Sequence, residues 1–468
     1  MKSQFNGKKV TIMGLGLHGG GAGVAKFFCE QGADVLVTDL KTKEQLEKSL
    51  EKLKPFTFRG RKVKGKKLPI KFVLGEHRNQ DFINADLIIK NPAVPRESPY
   101  LKIARDNKVP IKTDIDIFFG LCGAQIIGVT GSKGKSTTAT LIYNLLKSQF
   151  KDVILAGNIG VSPLESFDKI TKESKVVLEL SSFELEDLKK SPHIAVVTNI
   201  LADHLNRYKS FEEYVESKKS IFKYQGPNDF LVLNYDNPET REFGKNVLSQ
   251  VYFFSNNKNS NGCYVKDSKV FFGEKSLFDI RKSKLPGEHN VSNLLAAVTV
   301  AKILKISNKN IEKTITTFKG ISSRQEIIAE IKGVKYINDT TATMPDAAIQ
   351  AIKTTKERFP DSKIILIVGG QDKGLEYREL AEEIKNKINK IILLPGTASE
   401  KLLKELKTIG SNIAIIPVSS MREAVKKAKE VSKSNDIVLL SPAAASFNLF
   451  KNEFDRGDQF VAEVKKIT

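Results

Sequence analysis

The stretch GVTGSKGKSTTATL, residues 128–141, has the residue types needed to hold a nucleoside triphosphate. It stands between an apolar strand-like run (AQIIGV) and a helical pattern (KSTTATLIYNLLKSQ). A glycine-rich turn there lets backbone N–H groups approach phosphates closely. The helix N-terminus adds its positive end, Lys135 adds a point charge, and a hydroxyl can reach Mg²⁺. The strict spacing of glycine, four residues and Gly-Lys-Ser is not met, because Val129 stands where the first glycine belongs and Gly128 and Gly131 bracket the turn. Further along, Glu179 closes an apolar run in VVLELSSFELE, where a carboxylate at the carboxyl end of a parallel strand can bind Mg²⁺ or merely cap a helix. Asp203 and His204 follow the run HIAVVTNI, and the next helix presents Lys218 and Lys219, residue types that also suit a solvated face. Asn290 and Asn293 open an apolar helix, where amides can read a base or cap the chain end.

A second glycine cluster, Gly14-Leu15-Gly16-Leu17-His18-Gly19, follows the first strand-like run, and Asp39 closes the next one. That is the outline of a dinucleotide fingerprint, with a diphosphate at the helix start and an acid for a ribose hydroxyl. Tight packing of strand on helix explains the same glycines, and Gly20, Gly21 and Gly23 prolong the turn beyond the usual pattern.

Positioning these groups requires parallel sheets. Apolar runs alternate with helical patterns in three successive cycles, starting at KKVTIMGLG, AQIIGVTG and VKYINDT. This rhythm predicts an α/β protein of three consecutive α/β domains: Rossmann-like over 1–112, P-loop ATPase-like over 113–320, and Rossmann-like again over 321–468. Residues 52–71 hold nine basic and no acidic residues and are expected as a solvated hairpin or loop. The pieces VYFFS, GCYVKD and KVFFG, between 250 and 280, suggest a small antiparallel elaboration of the middle domain.

Composition narrows the function classes. A chain of 468 residues with 40% apolar and 28% charged residues is ordinary globular usage and long enough for about three domains. The net charge of +21 points to nucleic acid, a membrane surface or strongly anionic ligands. No apolar run of about 20 residues and no secretory pattern is present, so the expected place is the cytoplasm without membrane insertion. Cys29, Cys122 and Cys263 are too few and too scattered for a disulfide framework or zinc site, and the five histidines form no i,i+4 pair, so a metal would be oxygen-bound. Tryptophan is absent and basic residues outside 52–71 are scattered, which argues against a nucleic-acid groove.

A dozen collinear stretches make the reading specific. GLGLHG with VTD, LGEHRNQDF, NPAVP, GVTGSKGKST, AGNIG, LELSSFELE, DHLNRYKSFEEYVESKKSIF, GEHNVSNLLAA, SRQE, INDTTATMPDA, VGGQDKG and LLSPAAASFNLFKNEFDRGDQF together resemble the Mur ligases of peptidoglycan synthesis. Within that family they resemble the branch that adds D-glutamate to UDP-N-acetylmuramoyl-L-alanine. The resemblance implies that Gly131, Ser132, Lys133, Gly134, Lys135, Ser136 and Thr137 hold the ATP phosphates, with Asn293, Arg324 and Asp339 around the nucleotide. It implies one Mg²⁺ on Ser136 and Glu179 and a second on His204 and Lys218, the lysine being carbamylated. Lys135, Glu179, His204 and Lys218 would be the catalytic set. Leu17, His18 and Asp39 would line the uridine diphosphate pocket, Asn158 would contact the muramoyl-alanine end, and Thr343, Lys373 and Ser446 would hold D-glutamate. The expected partners are these small molecules only, with a monomeric chain and no nucleic acid. The family's usual DSKATN reads Asp339-Thr340-Thr341-Ala342-Thr343-Met344 here, and Glu453 stands where an aromatic is common. The alternatives are another ATP-dependent amide ligase of the same superfamily, a sibling Mur ligase or a folylpolyglutamate synthase, or a nucleotide-responsive nucleic-acid-binding protein.

Overall fold

The computed structural model describes residues 3–467 apart from 17–19, 59–61, 64–65, 68–69, 93, 160, 202–207, 209, 286, 373 and 447–448. Leu17, His18, His204 and Lys373 therefore lie outside the described residues. Two compact units are formed, one of Met1–Lys282 with His289–Thr316 and one of Ser283–Glu288 with Thr317–Thr468.

The first unit holds two parallel sheets. The N-terminal sheet has five strands in the order Lys71–Leu74, Asp34–Asp39, Lys9–Met13, Leu87–Lys90, Ile111–Lys112. Its central strands are runs of apolar and β-branched residues buried on both faces, as a covered parallel sheet requires. The strand order reverses between Lys9–Met13 and Leu87–Lys90, which opens a crevice at their carboxyl ends. The second sheet has six strands in the order Gln250–Phe254, Phe230–Asn234, Ile194–Val197, Gln125–Thr130, Lys175–Glu179, Val153–Gly157, all parallel. Its reversal falls at Gln125–Thr130, the strand that feeds the phosphate-type loop. Thr113 and Asp116 form a reciprocal capping box that starts the helix Asp114–Leu121 directly after the last strand of the first sheet. Edge-to-face rings of Phe27 and Phe167, 5.5 Å apart, lie in the apolar core that both sheets share.

One expectation needs adjusting. The run VYFF is the parallel edge strand Gln250–Phe254 of the main sheet, because its alternation pairs with Phe230–Asn234. The antiparallel elaboration is instead the three-stranded sheet Cys263–Lys266, Lys269–Phe272, Lys275–Asp279. Within the basic stretch 52–71, Lys62–Val63 pairs antiparallel with Lys66–Lys67 as a short hairpin, preceded by the helix Lys54–Phe58.

The second unit carries a six-stranded sheet in the order Glu326–Ile331, Val334–Asn338, Ile437–Leu440, Ile364–Val368, Lys390–Leu393, Ala414–Pro417. Only its first pair is antiparallel. The strand period of two divides its core. Ile364, Leu366 and Val368 pack under the helices Pro345–Arg358, Arg378–Lys387 and Thr397–Thr408, while Ile365 and Ile367 pack under Met421–Val431 and Glu453–Lys465.

Candidate active site

The loop Gly131–Gly134 leaves the strand Gln125–Thr130 and enters the helix Lys135–Lys147. Gly131 has φ +147°, and a Cβ there would lie 1.9 Å from Thr198 Oγ1. Gly134 has φ +84°, and its Cβ would lie 2.1 Å from Asn293 Oδ1. Both positions therefore require glycine. Val129 is fully buried in the strand and paired with Glu179, so the first glycine of the turn is Gly131, and the irregular spacing has a structural reason.

The loop is fastened from outside. Ser132 N–H donates to Asn199 O at 2.9 Å, and Lys133 N–H to Asn199 Oδ1 at 2.9 Å. Thr198 Oγ1 donates to Lys133 O at 2.6 Å. Ser132 Oγ lies 2.8 Å from the Tyr214 hydroxyl and accepts from Leu201 N–H at 2.9 Å. Two ammonium groups converge on one carbonyl of this loop: Lys135 Nζ donates to Gly131 O at 2.9 Å and Lys218 Nζ at 3.1 Å. Lys218 is 1% exposed and sits over the Tyr214 ring, 4.9 Å from its centroid. The neighbouring Lys219, one helical step round, pairs outward with Glu216 Oε2 at 3.0 Å. Of the two lysines left open by the sequence, only Lys218 faces the loop.

Glu179 ends the adjacent strand Lys175–Glu179 and is buried. Its Oε1 accepts from Asn158 Nδ2 at 2.9 Å, while Oε2 is buried with no hydrogen-bond partner. A buried carboxylate oxygen left open suits a cation. Among the described residues no group of three or more His, Cys, Asp and Glu side chains could hold a metal. A cation here would draw on this carboxylate, the buried Ser136 hydroxyl and phosphate oxygens, which is the habit of Mg²⁺. Two further carboxyls, Glu184 and Asp114, are buried close enough to act on one another. Burial pushes Glu184 up to about 8 despite its hydrogen bonds from Ser181, and burial also raises Asp114, which accepts from Ser162 Oγ at 2.6 Å. Asn293 packs against the loop helix, accepting from Thr138 Oγ1 at 3.3 Å and donating to Asn290 Oδ1 at 3.1 Å.

In the first sheet, Asp39 does more than mark a strand end. Its Oδ2 accepts from Leu15 N–H at 2.9 Å and Gly16 N–H at 3.3 Å, and its Oδ1 from Lys41 N–H at 2.9 Å. The carboxylate thus braces the glycine turn from within. Asn91 packs against Gly14 across the strand-order reversal. From the same crossing strand, Lys90 Nζ reaches Asp187 Oδ2 at 2.7 Å, and Arg96 bridges Glu186 and Asp187. Burial opposes ionisation of Asp187, but hydrogen bonds from Arg96 and Lys90 hold its carboxyl below the ordinary range.

In the second unit, Asp339 and Ser446 lie at carboxyl ends of the sheet. Asp339 accepts from Ser441 Oγ at 2.9 Å and Gln325 N–H at 3.1 Å, and burial pushes it up to about 7 although Arg324 acts the other way. Arg324 itself is exposed. Ser446 Oγ is buried without a hydrogen-bond partner. Thr341, where a lysine is usual, donates its hydroxyl to Ser323 O at 3.0 Å. Thr343 lies two residues beyond it, half-buried. Sequence reasoning gave no role to Arg456. It is fully buried, donating to Thr340 Oγ1 at 3.1 Å, Thr340 O at 2.8 Å and Ala444 O at 3.1 Å, and burial lowers its pKa to about 10. The stretch FDRGDQF contains it, but nothing in that stretch marks burial.

Residues 8–113 match the N-terminal domain described as Mur ligase MurD-like, residues 129–301 the Mur ligase middle domain, and residues 323–444 the Mur ligase glutamate ligase domain. The chain belongs to the Mur ligase family. This Mur ligase is 40% identical to the UDP-N-acetylmuramoylalanine–D-glutamate ligase of Roseiflexus sp. (strain RS-1), over 99% of the chain and 100% of the relative. It is 38% identical to the enzyme of the same name from Acetivibrio thermocellus, over 100% of the chain and 98% of the relative. Its fold is that of UDP-N-acetylmuramate–alanine ligase MurC from Thermotoga maritima, with a TM-score of 0.64 at 21% identity, covering 98% of this chain and 100% of that one. No helix among the described residues is long and apolar enough to cross a membrane.

Proposed function

We infer that this Mur ligase joins D-glutamate to UDP-N-acetylmuramoyl-L-alanine with ATP, releasing ADP and phosphate. The observation that carries the chemistry is the convergence of Lys135 and Lys218 on Gly131 O, beside a buried carboxylate with one open oxygen. Such a loop handles a transferred phosphoryl group by positioning and charge neutralisation. The L-alanyl carboxylate attacks the γ-phosphorus and ADP leaves. The D-glutamate amine then attacks the acyl phosphate carbon, phosphate departs, and the amine loses a proton as the amide forms.

In this reading the loop amides of Gly131–Thr137 cradle the phosphates, and Lys135 turns from the loop carbonyls to the γ-phosphate. Ser136 and Glu179 hold one Mg²⁺, with His204 and carbamylated Lys218 holding a second. The metal's contribution is to neutralise phosphate charge. Carbamylation of Lys218 needs its neutral amine. Asn293, Arg324 and Asp339 surround the nucleotide, and Thr343, Lys373 and Ser446 hold D-glutamate. Leu17 and His18 line the uridine diphosphate pocket, where Asp39 acts by bracing the glycine turn. The division of labour follows 1–112 for the UDP-substrate, 113–320 for ATP and 321–468 for the amino acid, in a monomeric cytoplasmic protein. Phosphate release with UDP-N-acetylmuramoyl-L-alanine and each candidate amino acid tests the reading. D-glutamate should give the fastest release, and release no greater than with water alone overturns it.

A further inference from the structure

Gly157 ends the strand Val153–Gly157 and is paired in register with Glu179. It has φ +96°, and a Cβ there would lie 2.2 Å from Glu179 O, so the two strand ends meet this closely only with glycine. The next residue then folds back over the carboxylate. Asn158 N–H donates to Glu179 O at 2.9 Å, and Asn158 Nδ2 donates to Glu179 Oε1 at 2.9 Å. A carboxylate only accepts, so the amide must turn its NH₂ toward Glu179. One carboxylate oxygen is thereby fixed, and the buried, unpartnered Oε2 is left as the open one.

We propose that Asn158 is a positioning residue that orients the Glu179 carboxylate for its cation, in addition to any contact it makes to the muramoyl-alanine end. This rests on the assignment of Glu179 to Mg²⁺ in the proposed function. Partners that orient a ligating carboxylate typically matter 10–100-fold in metal affinity.

The test uses the full chain and Mn²⁺ as the probe, followed by electron paramagnetic resonance in the presence of ADP. Asn158→Leu should weaken Mn²⁺ binding about tenfold or more while leaving metal-free ADP binding unchanged. Unchanged Mn²⁺ affinity in Asn158→Leu overturns the proposal. If the leucine variant loses metal-free ADP binding, Asn158→Ser removes the reach without added bulk and is judged by the same Mn²⁺ criterion. Mn²⁺ binding does not depend on which amino acid is ligated. A wild-type chain that binds Mn²⁺ with ADP yet releases no phosphate with D-glutamate therefore sinks the ligase reading while leaving the positioning role standing.

Discussion

The nucleotide loop and the loops at the carboxyl ends of the second unit's sheet solve the same problem differently. Gly131–Gly134 is shaped by its own strand and helix and held by backbone and short side chains of Thr198 and Asn199. The loops carrying Thr340 and Ala444 share one buried guanidinium, Arg456, which arrives from a helix 116 residues beyond Thr340 and donates to both. A site held by many short contacts tolerates the loss of one of them but not change at its glycines. Two loops that share one distant cation both lose a buried donor if it goes, and that cation has no hydrogen-bonded carboxylate among its described contacts.

The largest expected effect is at the convergence point of the first region. Lys218→Ala should lower phosphate release by roughly 10²–10³-fold or more, unrestored by bicarbonate. Retained activity would move the role away from Lys218. Gly131→Ala should weaken ADP about 100-fold in calorimetry, since a positive φ in a residue with a side chain costs about 1–3 kcal/mol before the clash with Thr198 is counted. In the second region, Arg456→Met should cost about 2–4 kcal/mol in chemical denaturation, because two carbonyls lose buried donors. It should also raise the KM for D-glutamate more than that for ATP. Equal changes in both KM values would dissolve the contrast between the regions.

Asp339 sharpens the contrast through pH. Its folded-state pKa of about 7 exceeds the ordinary 3.8, so the folded state binds the extra proton. That contribution to stability is complete below the ordinary value and is lost as pH rises through about 7. Denaturation midpoints of Asp339→Asn should be flatter than wild type between pH 4 and 7, and parallel curves would exclude Asp339 as the source. The smallest effect is expected for Lys219→Ala, whose exposed pair with Glu216 is worth under about 1 kcal/mol and whose activity should stay within twofold.

Much of this was legible in the residues. The alternation of apolar runs and helical patterns announced most strands of the three main sheets, because parallel strands buried on both faces must be continuously apolar. Gly131, Lys135 and Glu179 were legible because a turn, a charge and a strand-end carboxylate announce themselves by type and place. The run VYFF was misplaced because short apolar strands look alike whether they pair parallel or antiparallel.

By itself the sequence determined the kind of chemistry, the order of the α/β cycles and the collinear motifs of a Mur ligase, since these depend on residue type and local spacing. Only the tertiary structure decided that Lys218 and not Lys219 faces the loop, that Asp39 braces a turn, that Asn158 holds Glu179, and that Arg456 is buried. Each of these depends on which groups from distant segments share a low-dielectric space and which donor meets which acceptor there, and linear spacing carries no record of that.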